Sequence, residues 1–352
     1  MNNLAYQHNI EEIDFETVSD EILEQNYHFS MVIRKENDPD EPDLPQDLWM
    51  KIMRQVDPKY SNYRWMIREG KKVIALATLT TVPETAPNYE TDKHISFLRV
   101  NVLPDYRQQG YGSRLTITSI LNIKEIETIT TVFSEAILES GKKFNEKFGG
   151  KVSQTGSENR LRLDEVNWDL INNWKQAGEQ LGEREDVKIE HFHDCPEDIL
   201  TEYTDLYTET MNQQPLGDYD GKIIVTPQSR RDDEQREKER GLLWYTMITR
   251  ESDGSICGLT EMYYHPSTSH KGYQNLTGVK EKYRGRGLGK WLKAHMLEWY
   301  YAKYPDIKYI TTGNATTNKP MLSINDRMGF KKFLEGTSYS FKKEDLVSKL
   351  NL

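Results

Sequence analysis

The sequence predicts an α/β protein built from two tandem domains, each a mixed, mostly antiparallel sheet flanked by helices. Three observations carry this prediction. First, "VLPDYRQQGYGSRL" (102–115) repeats as "VKEKYRGRGLGKWL" (279–292), an offset of 177 residues from Gly110 to Gly287. Val102, Tyr106, Arg107, Gly110, Gly112 and Leu115 find identical partners in Val279, Tyr283, Arg284, Gly287, Gly289 and Leu292. Second, the elements around each copy recur in the same order. Third, 352 residues exceed the usual size of one domain.

Taken in order, "YRWMIREGKKVIALATLTTV" (63–82) and "LWYTMITRESDGSICGLTEMYYH" (243–265) each read as strand, charged turn, strand, which is a hairpin pattern. A further strand, 94–102 in the first half and 273–281 in the second, enters a glycine loop, and a helix follows each loop. The β-rich stretches 127–133 and 307–313 come next, each leading to a short helix that stops at glycine: "FNEKFGG" (144–150) and "INDRMGF" (324–330). The stretch 163–186 reads as a linking helix and turn. We therefore expect an N-terminal domain over 1–180 that includes this helix, and a C-terminal domain over 181–352.

Composition narrows the function. A net charge of −10 opposes broad affinity for nucleic acid, which depends on cationic side chains displacing counterions from phosphates. The run "RRDDEQREKER" (230–240) mixes signs at helical spacing and reads as a solvated helix face. No apolar run approaches the ~18 residues of a membrane span, so no membrane partner is expected. The acidic start, "MNNLAYQHNIEEIDFETVSDEIL", lacks a basic segment followed by an apolar block, so we expect a cytoplasmic protein. Cys195 and Cys257 suggest neither a disulfide framework nor a metal site.

A strand ending in RxxGxG and continuing as a helix presents backbone N–H groups at a helix N-terminus, where partial positive charge favours an anion such as phosphate. Glycine lets backbone approach a bulky pyrophosphate and permits positive φ. The loop positions are Arg107, Gln108, Gln109, Gly110, Tyr111, Gly112 and Ser113 in the first half, and Arg284, Gly285, Arg286, Gly287, Leu288, Gly289 and Lys290 in the second. One such motif alone is weak; two in matching contexts are much stronger. Neither loop has the GxxxxGK[ST] spacing of a Walker loop or the GxGxxG of a dinucleotide fingerprint.

These residues resemble the GCN5-related N-acetyltransferases (GNAT), whose pyrophosphate loop has the form Q/RxxGxG/A after the fourth strand. The tandem arrangement is similar to the mycothiol-synthase-like branch of that family. "GLTEMYY", "YQNLTGV", "YRGRGLGKWLK" and "TGNATTNKPMLSINDRMGF" appear in the familiar order across 240–342, and 60–163 matches more loosely. The resemblance implies two tandem GNAT-like domains, with the first as the candidate degenerate one, and acetyl-CoA as co-substrate. It implies that the loop amides hold the pyrophosphate and that the edge of the splayed fourth strand, from Val102 and Val279 backwards, holds pantetheine. It also places Asn314 and Asn318 beside the cofactor. Read physically, Asn318 is equally an N-cap, followed by Met321, Leu322 and Asn325 on one helix face. The first half has Ser134 and Leu138 where the second has Asn314 and Asn318, so transfer is expected in the second half, with coenzyme A bound by both.

The implied reaction moves an acetyl group to a primary amine of a small molecule by direct attack, with no covalent intermediate and no metal. An ammonium of pKa about 10 must first lose its proton, and Glu261, between apolar and aromatic residues of a strand, is the expected base. His265, beside a proline turn, is expected at the surface. The family's oxyanion donor corresponds to the backbone N–H near Val279. Many members carry a tyrosine four residues before the terminal glycine as acid for the thiolate; here Asn325, and in the first half Asn145, occupy that position. Water could replace it, or a nearby tyrosine such as Tyr263 or Tyr264 could serve. Asp218 and Asp220 in "MNQQPLGDYDG" (211–221) could attract a cationic acceptor, with Tyr219, Trp244 and Tyr245 stacking on it. The alternatives are a non-catalytic acyl-CoA-binding or sensing module and a peptide N-acetyltransferase. Two domains in one chain mimic a dimer of single-domain relatives, so a monomer is expected, with a homodimer as the other possibility.

Overall fold

The computed structural model describes residues 8–352, so the first seven residues of the acidic amino-terminal stretch lie outside the described residues. Apolar runs bounded by turn residues form the strands, and capped amphipathic stretches form the helices. In chain order the elements are β1 Ile10–Ile13, α1 Asp20–Asn37, α2 Gln46–Arg54, β2 Ser61–Glu69, β3 Lys72–Thr81, α3 Tyr89–Asp92, β4 Ile95–Val102, α4 Tyr111–Ile123, β5 Thr131–Ala136, α5 Glu139–Lys147 and β6 Lys151–Arg162. They continue as α6 Trp168–Glu185, β7 Lys188–Phe192, α7 Leu200–Asn212, α8 Pro227–Arg240, β8 Leu243–Arg250, β9 Ile256–Tyr264, β10 Lys271–Val279, α9 Leu288–Lys303, β11 Tyr309–Ala315, α10 Lys319–Met328, β12 Lys331–Lys342 and α11 Lys343–Leu350.

The described residues divide into two compact units, one of residues 8–155, 217–222 and 336–352, the other of 156–216 and 223–335. The division does not fall near residue 180. The helix expected as a linker is α6, and it belongs to the second unit, burying Ile171, Trp174 and Leu181 in that unit's core. Gly178 is required there, since a Cβ would stand 2.0 Å from the Trp291 ring.

In the first unit, β1, β2, β3 and β4 pair antiparallel in that order, β5 runs parallel to β4, and residues 337–342 of β12 add antiparallel to β5. The second unit repeats the plan: β7, β8, β9 and β10 are antiparallel, β11 is parallel to β10, and residues 156–162 of β6 add antiparallel to β11. Each unit's last strand therefore comes from the other half of the chain. Apolar clusters cover both faces of each sheet; in the second unit Leu292, Leu297 and Ile310 lie with α9 on one face, and Leu206, Ile248 and Leu259 with α7 on the other. Full burial of each such side chain is worth about 1.5–3 kcal/mol.

The two parallel pairings are short. β4 meets β5 only from Ile95–Thr131 to Phe97–Phe133, and β10 meets β11 only from Lys271–Tyr309 to Tyr273–Thr311. Beyond these rungs β4 and β10 stay paired to β3 and β9 alone, and β10 carries a register shift between Gln274 and Thr277. A fork opens in each sheet, lined by backbone groups that have no strand partner.

Candidate active site

The second unit's loop begins where β10 ends at Val279. Arg284 N–H donates to the Glu281 carbonyl at 3.2 Å, and the next helical bonds run from Lys290 and Trp291 to the Gly287 carbonyl, both 3.0 Å. Between them, the amides of residues 285–289 donate to no backbone carbonyl among the described residues. Gly285 (φ +83°) and Gly287 (φ +91°) adopt the left-handed conformation, and a Cβ at either would meet nothing within 4 Å. Five N–H groups without a backbone acceptor thus lie at the positive end of the 16-residue helix α9, beside the open space at Gly285 and Gly287, which fits an anion with several oxygens.

The side chains around this loop brace it. Arg284 Nε donates to the Val279 carbonyl at 3.2 Å, and its guanidinium also bonds Gln213. Arg286 is held by Glu185 and Glu251, each at 2.6 Å. The Lys290 ammonium lies 5.8 Å from the centre of the Trp174 ring. Leu288 is buried, and a Cβ on Gly289 would lie 3.7 Å from Val279, an ordinary contact.

The first unit's loop has the same backbone form with different surroundings. Gln108 (φ +61°) and Gly110 (φ +93°) are left-handed, and Arg107 Nε donates to the Val102 carbonyl at 3.0 Å while its fork grips Glu36 at 2.5 and 2.6 Å. Gln109 bonds the Asp105 carbonyl at 2.9 Å, and the buried Tyr111 hydroxyl pairs with His8 at 3.0 Å. Ser113, one residue beyond the second glycine, is half-buried. A Cβ on Gly112 would meet the Phe144 ring at 3.2 Å. Phe144, backed by Phe148 with ring centres 4.9 Å apart, thus closes in on this loop, whereas Gly289 meets no residue of α10.

On the α9 face of the second unit's fork, Asn325 Nδ2 donates to Asn314 Oδ1 at 2.8 Å. Asn325 is 1 % exposed and its Oδ1 has no partner, so its amide is turned inward against Asn314. Asn318 caps α10, accepting from Met321 N–H at 3.4 Å. In the first unit Leu138 occupies the corresponding cap position with no side-chain bond, and Asn145 is buried. Lys293 of α9 is fully enclosed, its ammonium 5.5 Å from the Phe330 ring centre, and burial pushes its pKa down to about 7.

The opposite face carries the feature that sequence reasoning missed. Glu261 is completely buried: its Oε1 accepts from Tyr203 at 2.5 Å, Arg230 at 2.9 Å and Thr246 at 3.4 Å, and its Oε2 from Asn275 at 2.8 Å. Arg230, 1 % exposed, also donates to Glu234 at 2.8 Å and lies 3.7 Å from the Trp244 ring centre. The run over 230–240 was expected to be a solvated face; Arg230 and Glu234 correct that expectation by pointing into the unit. Their i, i+4 spacing behind the Thr226–Pro227 helix start was the available signal, hidden by nine neighbours of equally polar type.

Several expected participants do not join this cluster. Asp218, Tyr219 and Asp220 belong to the first unit, where they engage Ser340 at 2.8 Å, Asp92 at 2.6 Å and His94 at 2.8 Å. Tyr245 turns to the α9 face and bonds Tyr304, on whose ring Tyr264 stacks with centres 3.8 Å apart. His265 accepts from Ser267 N–H at 3.0 Å and pairs with the Arg240 carbonyl at 2.9 Å, a turn-forming role. Burial pushes the Cys257 and Cys195 thiols up to about 12, so neither is a ready nucleophile. Among the described residues no group of three or more His, Cys, Asp or Glu could hold a metal ion, and no helix is long and apolar enough to cross a membrane.

Comparison with known proteins bears on this geometry. Among solved structures, the chain is similar to a tandem GNAT protein from the clavulanic acid biosynthesis pathway, at 19 % identity and a TM-score of 0.73, covering 95 % of this chain and 99 % of that one. It is similar to a GCN5-related N-acetyltransferase from Sphaerobacter thermophilus, at 15 % identity and a TM-score of 0.66, covering 95 % and 96 %. It is also similar to the GCN5-related glucosamine N-acetyltransferase region of a fungal multi-domain GH3 β-N-acetylglucosaminidase, at 12 % identity and a TM-score of 0.63, covering 95 % of this chain and 38 % of that one. These likenesses speak to fold. No curated protein matches the sequence. The profile of the Acetyltransferase (GNAT) family matches residues 23–122 and again 200–330, more than half of the chain, each match spanning one glycine loop. Two matched segments, each with its forked sheet and amide-lined loop, make this chain a tandem member of the GNAT acetyltransferase family.

Proposed function

We propose that this protein moves an acetyl group from acetyl-CoA to a primary amine of a small molecule, and that the second unit does so. The observation that carries this reading is the run of unclaimed amides at 285–289 beside the fork between β10 and β11. Those amides fit a pyrophosphate, and the unpaired edge of β10 up to Val279 fits the amides of a pantetheine arm lying in the fork. The Val279 region then supplies a backbone donor to the thioester carbonyl, and Asn314 and Asn318 line the cofactor's path. Acetyl-CoA contributes an activated acyl carbon; the chain's own residues hold it, exclude water and manage protons. Attack is direct, since a deprotonated amine suffices and neither thiol is activated.

The sequence-based assignment of Glu261 as base becomes a different proposal. A carboxylate with no exposure, held by four donors of which one is a guanidinium, is closed off from an incoming ammonium. We assign it the fixing of Tyr203, Arg230 and Asn275. The first unit's residues Val102, Arg107–Ser113 form a second, weaker coenzyme A site, weakened by Phe144 against Gly112. Within the family we place the chain beside the mycothiol-synthase-like branch by its tandem architecture, as a cytoplasmic monomer.

Asn325 in the position of the usual tyrosine favours a second reading, a module that binds acyl-CoA without turnover. Calorimetry with coenzyme A and acetyl-CoA, followed by thiol detection with a pooled amine library, separates the two. Thiol release dependent on one amine class supports the enzyme, and tight binding without release supports the module. Absence of binding by either ligand refutes both.

A further inference from the structure

The family's usual acid position holds an amide, yet the far face of the same fork holds two phenols. Tyr273 pairs with Tyr263 across β9–β10 and with Thr311 across β10–β11, so these three residues form the last rung before the strands part. Paired residues share a face, and Tyr263 and Tyr273 stack there at 5.9 Å with ring planes 7° apart. Two positions further along β10, at the register shift, Asn275 points to the same face. Its Nδ2, which carries two hydrogens, lies 2.7 Å from Tyr263 Oη, 2.8 Å from Glu261 Oε2 and 3.2 Å from Tyr207 Oη.

Tyr263 therefore reaches from the closed rung toward the open fork, and its oxygen is fixed there as an acceptor. Neither its proton nor that of Tyr207 is given to any acceptor among the described residues. Beside Tyr273 on this face, Thr311 Oγ1 is buried and unpartnered, a second sign that the face is completed by a ligand. The charged and titratable groups around the phenol are Glu261 on its own strand, Tyr203 and Tyr207 on α7, Arg230 on α8 and Tyr273 on β10. Burial and, next, Glu261 push the phenol's pKa well above its usual value, so it stays protonated through the working pH range. Tyr264, the other candidate, is turned to the opposite face against Tyr304.

From this arrangement we infer that Tyr263 is the proton shuttle of the acetyl transfer, in place of the missing helix tyrosine. The inference rests on the acetyltransferase reading. The amine nitrogen bonds to the thioester carbonyl carbon and the carbon–sulfur bond breaks, its electron pair leaving with sulfur. Tyr263 gives its proton to that sulfur, and the proton shed by the nitrogen returns to the phenolate oxygen. The phenol emerges unchanged, and no separate acid or base is needed once the amine has entered neutral.

The test compares full-length Tyr263→Phe, Tyr264→Phe and the unaltered protein, with acetyl-CoA and a pool of primary alkyl amines, amino sugars and amino-acid amides as the probe. Tyr263→Phe keeps the ring stack, and its expected result is a fall in kcat of about 100-fold or more, an unchanged KM for acetyl-CoA and an unchanged melting temperature. Its residual rate should climb with pH where that of the unaltered protein levels off. Tyr264→Phe should retain kcat. Should Tyr263→Phe lower the melting temperature, Tyr207→Phe provides the second variant, with a smaller kcat loss and the same KM. Retention of kcat by Tyr263→Phe, or an equal loss in Tyr264→Phe, overturns the inference while leaving the acetyltransferase reading intact. No turnover by the unaltered protein overturns both.

Discussion

Glu261→Gln separates a base from a brace. The substitution is isosteric and leaves Oε1 able to accept from Tyr203, Arg230 and Thr246. It removes the negative charge facing Arg230 at 2.9 Å and sets an NH2 group against Asn275 Nδ2, donor to donor, where the carboxylate accepted at 2.8 Å. Breaking a buried ion pair by removing one charge costs about 3–5 kcal/mol. Glu234, still 2.8 Å from Arg230 Nε, offsets part of that, so a loss of about 2–4 kcal/mol is expected. Urea denaturation of both proteins at pH 7.5 measures the loss, and steady-state kinetics on the folded fraction measures kcat. The expected outcome is clear destabilisation with a kcat reduced only as far as Asn275 and Tyr263 are displaced, within about tenfold. Unchanged stability with a kcat loss of about 100-fold or more would show that Glu261 abstracts the proton and that the bracing argument is wrong.

Other outcomes follow from the same geometry. Gly287→Glu, which puts both a side chain and a negative charge into the amide-lined space, should abolish acetyl-CoA turnover, whereas Gly110→Glu should leave most of it; the reverse pattern in a thiol-release assay would move the chemistry to the first unit. Lys293 has its pKa lowered to about 7 by burial, so between that pH and about 10 the unfolded chain holds a proton that the folded one lacks. Stability should therefore rise with pH across this window by up to about 1.4 kcal/mol per unit, and Lys293→Met should remove the slope; parallel pH curves for the two proteins would refute it. Fragments cut at residue 180 should not fold separately, because 1–180 lacks the strand 337–342 that pairs with β5 and 181–352 lacks most of α6 and the strand 156–162 that pairs with β11. Near-ultraviolet circular dichroism of each fragment checks this, and native-like spectra from both would contradict the strand assignment.

The element order, the tandem repeat and both glycine loops were legible in the amino-acid sequence because their causes are local. Gly285 and Gly287 are favoured by their positive φ, and Asn318, Pro320 and Gly329 start and stop a helix through bonds spanning three or four residues. The tertiary structure alone decided what depends on distant partners. No period or composition tells residues 156–162 and 337–342 which sheet edge to join, since both edges present the same backbone groups. The same holds for charge: Arg230 and Glu234 have the composition of a solvated helix, and only Glu261, Tyr203 and Trp244, brought from other elements, make their burial affordable. Asp218 and Asp220 were drawn by neighbours 60 to 130 residues away into the first unit, and Tyr263 was singled out from Tyr264 by the face of one strand. Local chemistry fixed where the glycine loops and their amides lie; the long-range pairing of strands fixed which side chains stand beside them.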